Sequence, residues 1–173
     1  MASAGDVLID AFERVRGTVH RVLDGLEHEQ LAARLDPEAN TIAWLLWHVA
    51  RGQDAQIADV ASLEQLWLGS GWSARFALPF SDSASGFGQS PTEVAQVAES
   101  SEVTAKLLGD YFDAVHEMTV AYVSSLSETG LDRIVDTRWN PPVTLAVRLV
   151  SIINDATQHV GQAAFIKGVI SRL

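Results

Sequence analysis

Asn154-Asp155-Ala156-Thr157-Gln158-His159-Val160-Gly161-Gln162 is a polar stripe set into an apolar stretch. Around it lie Leu145, Val147, Leu149, Val150, Ile152, Ile153, Ala163, Phe165, Ile166, Val169 and Ile170, which the pattern assigns to a core. Apolar residues at this spacing predict a helix. On a helix Asp155 and His159, four residues apart, stack on one face. Arg148 precedes Asp155 by two turns, and Gln162 follows His159 by about one. A carboxylate and an imidazole facing a core are costly unless paired, and a bound metal is one way to pair them.

A second such residue lies far upstream. His48 sits in Thr41-Ile-Ala-Trp-Leu-Leu-Trp-His48-Val-Ala50, another strongly apolar helical stretch. Asp155, His159 and His48 can therefore meet inside a bundle and hold one divalent ion. The bland alternative is a satisfied Asp155–His159 pair, with His48 a lone core histidine. The Asp/His spacing alone does not separate these readings.

Working outward, the first helix is expected over Ala4 to Leu26, where Leu8, Phe12, Val15, Val19, Val22 and Leu26 recur at helical spacing. Asp36-Pro37 breaks the chain, and Asn40 is the expected N-cap of a second helix over Thr41 to Val60. An irregular region follows, from Gly69 to Ser90. It is dense in Gly and Ser, yet interleaved with Trp72, Phe76, Phe80 and Phe87. A plain linker needs no such aromatics, so this is read as a loop pinned to the bundle, or as a lid or pocket wall. The third helix starts at Pro91 with Ser90 as N-cap, breaks near Ser100-Ser101 and stops before Gly130. Ile134 to Thr137 suggests a short extended piece. Pro141-Pro142 forbids helix there, and Thr144 caps a fourth helix reaching Ser171. The expected architecture is one all-α four-helix bundle over residues 1–173, with no internal repeat.

The bulk numbers exclude several functions. The 173 residues carry 12 Lys and Arg against 22 Asp and Glu, a formal net charge of -10. With no basic run, such a chain is repelled by phosphate backbones and anionic lipid. No apolar run approaches the roughly 18–20 residues that span a bilayer, and the N-terminus shows no signal-peptide pattern. The chain has no cysteine, which rules out disulfides, thiolate ligands and a Cys nucleophile and fits a cytoplasmic protein. There is no GxSxG, P-loop, HExxH or GxGxxG ahead of a strand.

Among other candidates, Arg51 lies one turn beyond His48 and Arg148 two turns before Asp155, so both cations are placed near the same cavity, facing an anionic or polyhydroxylated ligand. Pairing with acids is the equal alternative. Trp44 and Trp139 are candidate pocket walls. His20 and His28 read as surface, and His116 as a boundary residue.

Asn40-Thr-Ile-Ala-Trp-Leu-Leu-Trp-His48-Val-Ala-Arg51 and Gln158-His159-Val-Gly161-Gln162-Ala-Ala-Phe-Ile-Lys-Gly168 resemble the DinB/YfiT-like superfamily. More narrowly, they are similar to its mycothiol-dependent branch, which includes mycothiol S-transferases and a domain of maleylpyruvate isomerase. The resemblance implies a DinB-like four-helix bundle with a metal held by His48 on the second helix and by Asp155 and His159 on the fourth. Asp155 stands where the wider superfamily has His, which points to that branch. Zinc is the implied ion, with nickel and other divalent ions as alternatives. The implied activity is a metal-dependent thiol S-transferase of detoxification. A low-molecular-weight thiol, mycothiol, is activated for attack on an electrophile, and Arg51, Arg148 and Gln162 are candidates for binding or orienting that thiol. The rival readings are a non-enzymatic helical binding or stress protein with a structural Asp–His pair, and a metal-dependent hydrolase. Pairing of two copies into a homodimer through an exposed helix face is a further expectation.

Overall fold

The computed structural model describes residues 2–172. Four long helices carry the architecture: α1 (Ala4–Leu23), α3 (Ile42–Ala61), α7 (Ala105–Ser124) and α8 (Leu145–Ile170). Helices α3 and α1 each pack against both α7 and α8, so α1 stands diagonally across the bundle from α3. The all-α bundle read from the sequence is the fold observed. Among the described residues the only strands are β1 (Ile134–Asp136) and β2 (Val143–Thr144), an antiparallel pair just before α8.

The helix ends follow from capping chemistry. Ser3 and Ser90 each form a reciprocal capping box, with Asp6 and Glu93. Thr144 accepts from Val147 N as expected. The N-cap of α3 is Thr41, whose side chain accepts from Trp44 N, and not Asn40. Helix α1 stops at Leu23, three residues earlier than its apolar spacing suggests, because Gly25 takes φ +68° and turns the chain. Leu26 still reaches the core through that turn, ahead of α2 (His28–Leu31). The expected break near Ser100 separates α6 (Pro91–Glu99) from α7.

Helix α3 is the central element. Of its 20 residues 14 are buried, because α7, α8 and α6 pack on it and a connection crosses over it. Trp47 is fully buried, and burying an aromatic of that size contributes on the order of 3 kcal/mol. Part of the connection between α3 and α6 is helical: α4 (Leu66–Gly69) and α5 (Trp72–Phe76). Trp72 and Phe76 are buried there and Phe80 packs partly against the core, so the loop is pinned by aromatics. Phe87 is not one of the pins, because it is 95% exposed. The pattern assigns Val147, Val150 and Phe165 to the core, yet they lie on the outer face of α8. No helix among the described residues is long and apolar enough to cross a membrane.

Candidate metal centre

The seam between α3 and α8 brings His48, Asp155 and His159 together. One donor atom from each lies within 4.8 Å of the others. His48 Nε2 is 3.9 Å from Asp155 Oδ2, and the two imidazole centroids are 4.8 Å apart. Helical spacing supplies two of the groups: His159 stands one turn after Asp155 on α8, and its Nδ1 is 2.9 Å from the Asp155 carbonyl oxygen. Bundle packing supplies the third.

Burial differs across the set. The His48 side chain is 14% exposed and that of Asp155 is 47% exposed. Burial pushes the His48 pKa below its ordinary value. Its contact with the Ser85 carbonyl acts the other way, His159 adds to the lowering and Asp155 opposes it. A neutral imidazole is the form that ligates a metal. His48 Nδ1 is occupied by the Ser85 carbonyl oxygen at 2.5 Å, which leaves Nε2 facing Asp155.

Two imidazoles and a carboxylate form a donor set that zinc and other first-row divalent ions accept. Ligand atoms around tetrahedral zinc stand about 3.4 Å apart, given bonds near 2.1 Å. The chemistry of the donor set therefore fits a divalent ion, and Asp155 is the most exposed of the three groups.

The other sequence candidates go elsewhere. Arg51 is 1% exposed and donates to Asp54 Oδ2 at 3.5 Å, Tyr111 Oη at 3.4 Å and Gln65 Oε1 at 3.1 Å, so its charge is used inside the core. Burial raises the Tyr111 pKa and keeps the phenol protonated. Arg148 donates to Asp136 Oδ2 at 3.1 Å, tying α8 to β1. Gln162 is exposed on α8 and lines a groove of about 300 Å³ with Asn40, Leu45 and Phe165. Trp44 reaches the site: it stacks on His48 and its centroid is 6.2 Å from that of His159. Trp139 does not wall the pocket, being 67% exposed. His116 is buried against Glu13 and belongs to the opposite side of the bundle, between α1 and α7.

The sequence reading missed Ser85 and Gly86. Phe80 ahead of them packs toward the core but Phe87 beside them is exposed, so nothing in the sequence marks the close approach or pairs them with His48.

A profile of the family described as mycothiol-S-transferase matches residues 7–171. The chain belongs to the mycothiol S-transferase family. Among solved structures it is similar to a conserved protein from Enterococcus faecalis, at 31% identity and a TM-score of 0.87, covering 96% of both chains. No curated protein matches significantly. The family match covers α3, α7 and α8 in full and all of α1 but its first three residues, including both segments that carry the triad.

Proposed function

We propose that this chain is a divalent-metal-dependent thiol S-transferase that conjugates mycothiol to an electrophile. The observation that carries the reading is the convergence of His48, Asp155 and His159 at the α3–α8 seam, in a chain of the mycothiol S-transferase family.

A cation held by these three groups supplies positive charge that stabilises a thiolate at neutral pH. His48 contributes a neutral nitrogen because burial disfavours its protonation. Asp155 contributes the single negative charge of the set and, being half-exposed, faces the side from which substrates arrive. Trp44 walls the site and limits the rotation of His48. In the reaction a C–S bond forms, the leaving group departs with its electron pair, and the thiol proton passes to solvent. With no cysteine in the chain, the attacking sulfur comes from the small-molecule thiol.

The test is to incubate zinc-loaded protein with mycothiol and an alkyl halide and to follow the thioether by mass spectrometry. The expected result is conjugate formation that needs mycothiol and is lost with a chelator and in His159→Ala. Conjugation at the uncatalysed rate would overturn the transferase reading. Ester or amide cleavage without added thiol would replace it with a hydrolase.

A further inference from the structure

Residues 84–89 cross α3 as a strap attached at three successive turns. Trp44 Nε1 donates to Gln89 Oε1 at 2.7 Å, His48 Nδ1 meets the Ser85 carbonyl oxygen, and Arg51 Nε donates to the Ala84 carbonyl oxygen at 3.3 Å. The middle attachment falls on the histidine of the triad. Both outer attachments are themselves anchored. The Trp44 ring is stacked on His48, and the Arg51 guanidinium lies 4.9 Å over the Trp67 ring within its hydrogen bonds to Gln65, Asp54 and Tyr111.

Gly86 is what lets the strap lie this close. It is buried, with φ +96°, a conformation that L side chains rarely adopt. A Cβ at this position would stand 2.7 Å from His48 Nδ1 and 2.9 Å from Trp44 Cζ2. Both distances are inside van der Waals contact, and one of the groups struck is the hydrogen-bonded nitrogen itself. The other three glycines with positive φ meet nothing within 4 Å, so the close approach is particular to this one.

A carbonyl oxygen only accepts. Ser85 therefore requires the hydrogen of His48 on Nδ1, and in a neutral imidazole this leaves a lone pair on Nε2. Nε2 is the atom that faces Asp155. We propose that the 84–89 strap is a positioning device that locks His48 as the Nδ1–H tautomer, with its Nε2 lone pair aimed into the triad before any cation arrives. Ser85 is the positioning residue, Gly86 permits the contact, and Gln89 and Arg51 hold the two ends. The proposal rests on the metal reading for its purpose, while the lock itself is a property of the cation-free chain.

Nitrogen-15 NMR of cation-free, histidine-labelled protein tests it, in wild type, Gly86→Ala and Gln89→Ala, alongside zinc affinity by chelator competition. The expected wild type shows His48 as a single Nδ1–H tautomer. Gly86→Ala is expected to give a tautomer mixture for His48, unchanged His20 and His28 signals, and zinc affinity lower by about 10–100-fold, the usual effect of losing a group that orients a ligand. Gln89→Ala leaves the backbone free of new contacts and serves if Gly86→Ala fails to fold; a partial shift in the same direction is expected. An Nε2–H tautomer in the wild type, or an unchanged tautomer in both folded variants, overturns the lock. A locked wild type that binds no zinc upholds the lock and refutes the metal reading instead.

Discussion

Trp44 lies flat against His48, with ring centroids 4.6 Å apart and planes 11° from parallel. The two residues are one helical turn apart, so local geometry alone brings the rings into register. The indole is held in turn by Gln89. Trp44→Phe keeps a ring at the site but drops the hydrogen bond, and is expected to cost about 1 kcal/mol. Trp44→Ala also empties a buried position and is expected to cost about 3–5 kcal/mol. Urea unfolding of the two variants gives both numbers. Equal losses would show that the ring contributes little.

The triad is expected to divide metal affinity from stability. Asp155 is half-exposed and makes no side-chain hydrogen bond that the fold needs. Asp155→Asn should leave unfolding within about 0.5 kcal/mol of wild type. It should still weaken zinc binding, because a neutral amide replaces the one anionic ligand. His159→Ala should lower affinity by more than about 100-fold, beyond what groups behind the ligands usually contribute. Elemental mass spectrometry with chelator titration measures both. Unchanged affinity in Asp155→Asn would remove its carboxylate from the site.

The buried Arg51–Asp54 pair sets an asymmetric expectation. Asp54 accepts from Leu66 N, Trp67 N and Tyr111 Oη as well as from Arg51. In Arg51→Met the carboxylate keeps three donors. In Asp54→Asn the guanidinium keeps its charge in the core with no opposite charge beside it, and the expected cost is about 3–5 kcal/mol. Thermal unfolding should therefore rank Asp54→Asn below Arg51→Met. The reverse order would mean that the carboxylate left without the guanidinium costs more than the guanidinium left without the carboxylate.

Asp136 carries a pH signature. Hydrogen bonds from Arg138 hold its carboxyl well below the ordinary range, with Arg148 adding to the effect. A carboxylate with a lowered folded-state pKa stabilises the fold above its unfolded value, and that contribution is lost as pH falls through the folded one. Wild type should thus exceed Asp136→Asn in stability at neutral pH, with a gap that narrows below about pH 4. A gap independent of pH would indicate that packing, and not charge, separates the two proteins.

The helices were legible because capping and periodicity are local. Ser90 with Pro91, and Thr144 ahead of Leu145, mark their boundaries within a residue. That Asp155 and His159 share one helix face was legible for the same reason, while their spacing alone left a paired structural role and a ligand role equally open. One turn from His48, Arg51 reads equally as facing the cavity or as paired with an acid, and the structure shows the second. Its partner three residues on, Asp54, draws the guanidinium inward instead. Val147, Val150 and Phe165 were assigned inward because helix α8 is apolar on more than one side, and periodicity cannot say which side has neighbours. The strap was invisible because its contact with His48 uses the Ser85 backbone carbonyl, which every residue possesses.

His48 and Asp155 stand 107 positions apart in the chain. A cation shared between them would act as a removable cross-link joining the two flanks of a long loop, and closing a loop of that length costs an unfolded chain several kcal/mol of entropy. Only the folded chain presents the complete set, so binding of an ion there would make its concentration a term in the folding equilibrium. The seam between α3 and α8 would then tighten or loosen with the cell's supply of the ion, making the protein's lifetime, and not only its chemistry, a record of metal availability.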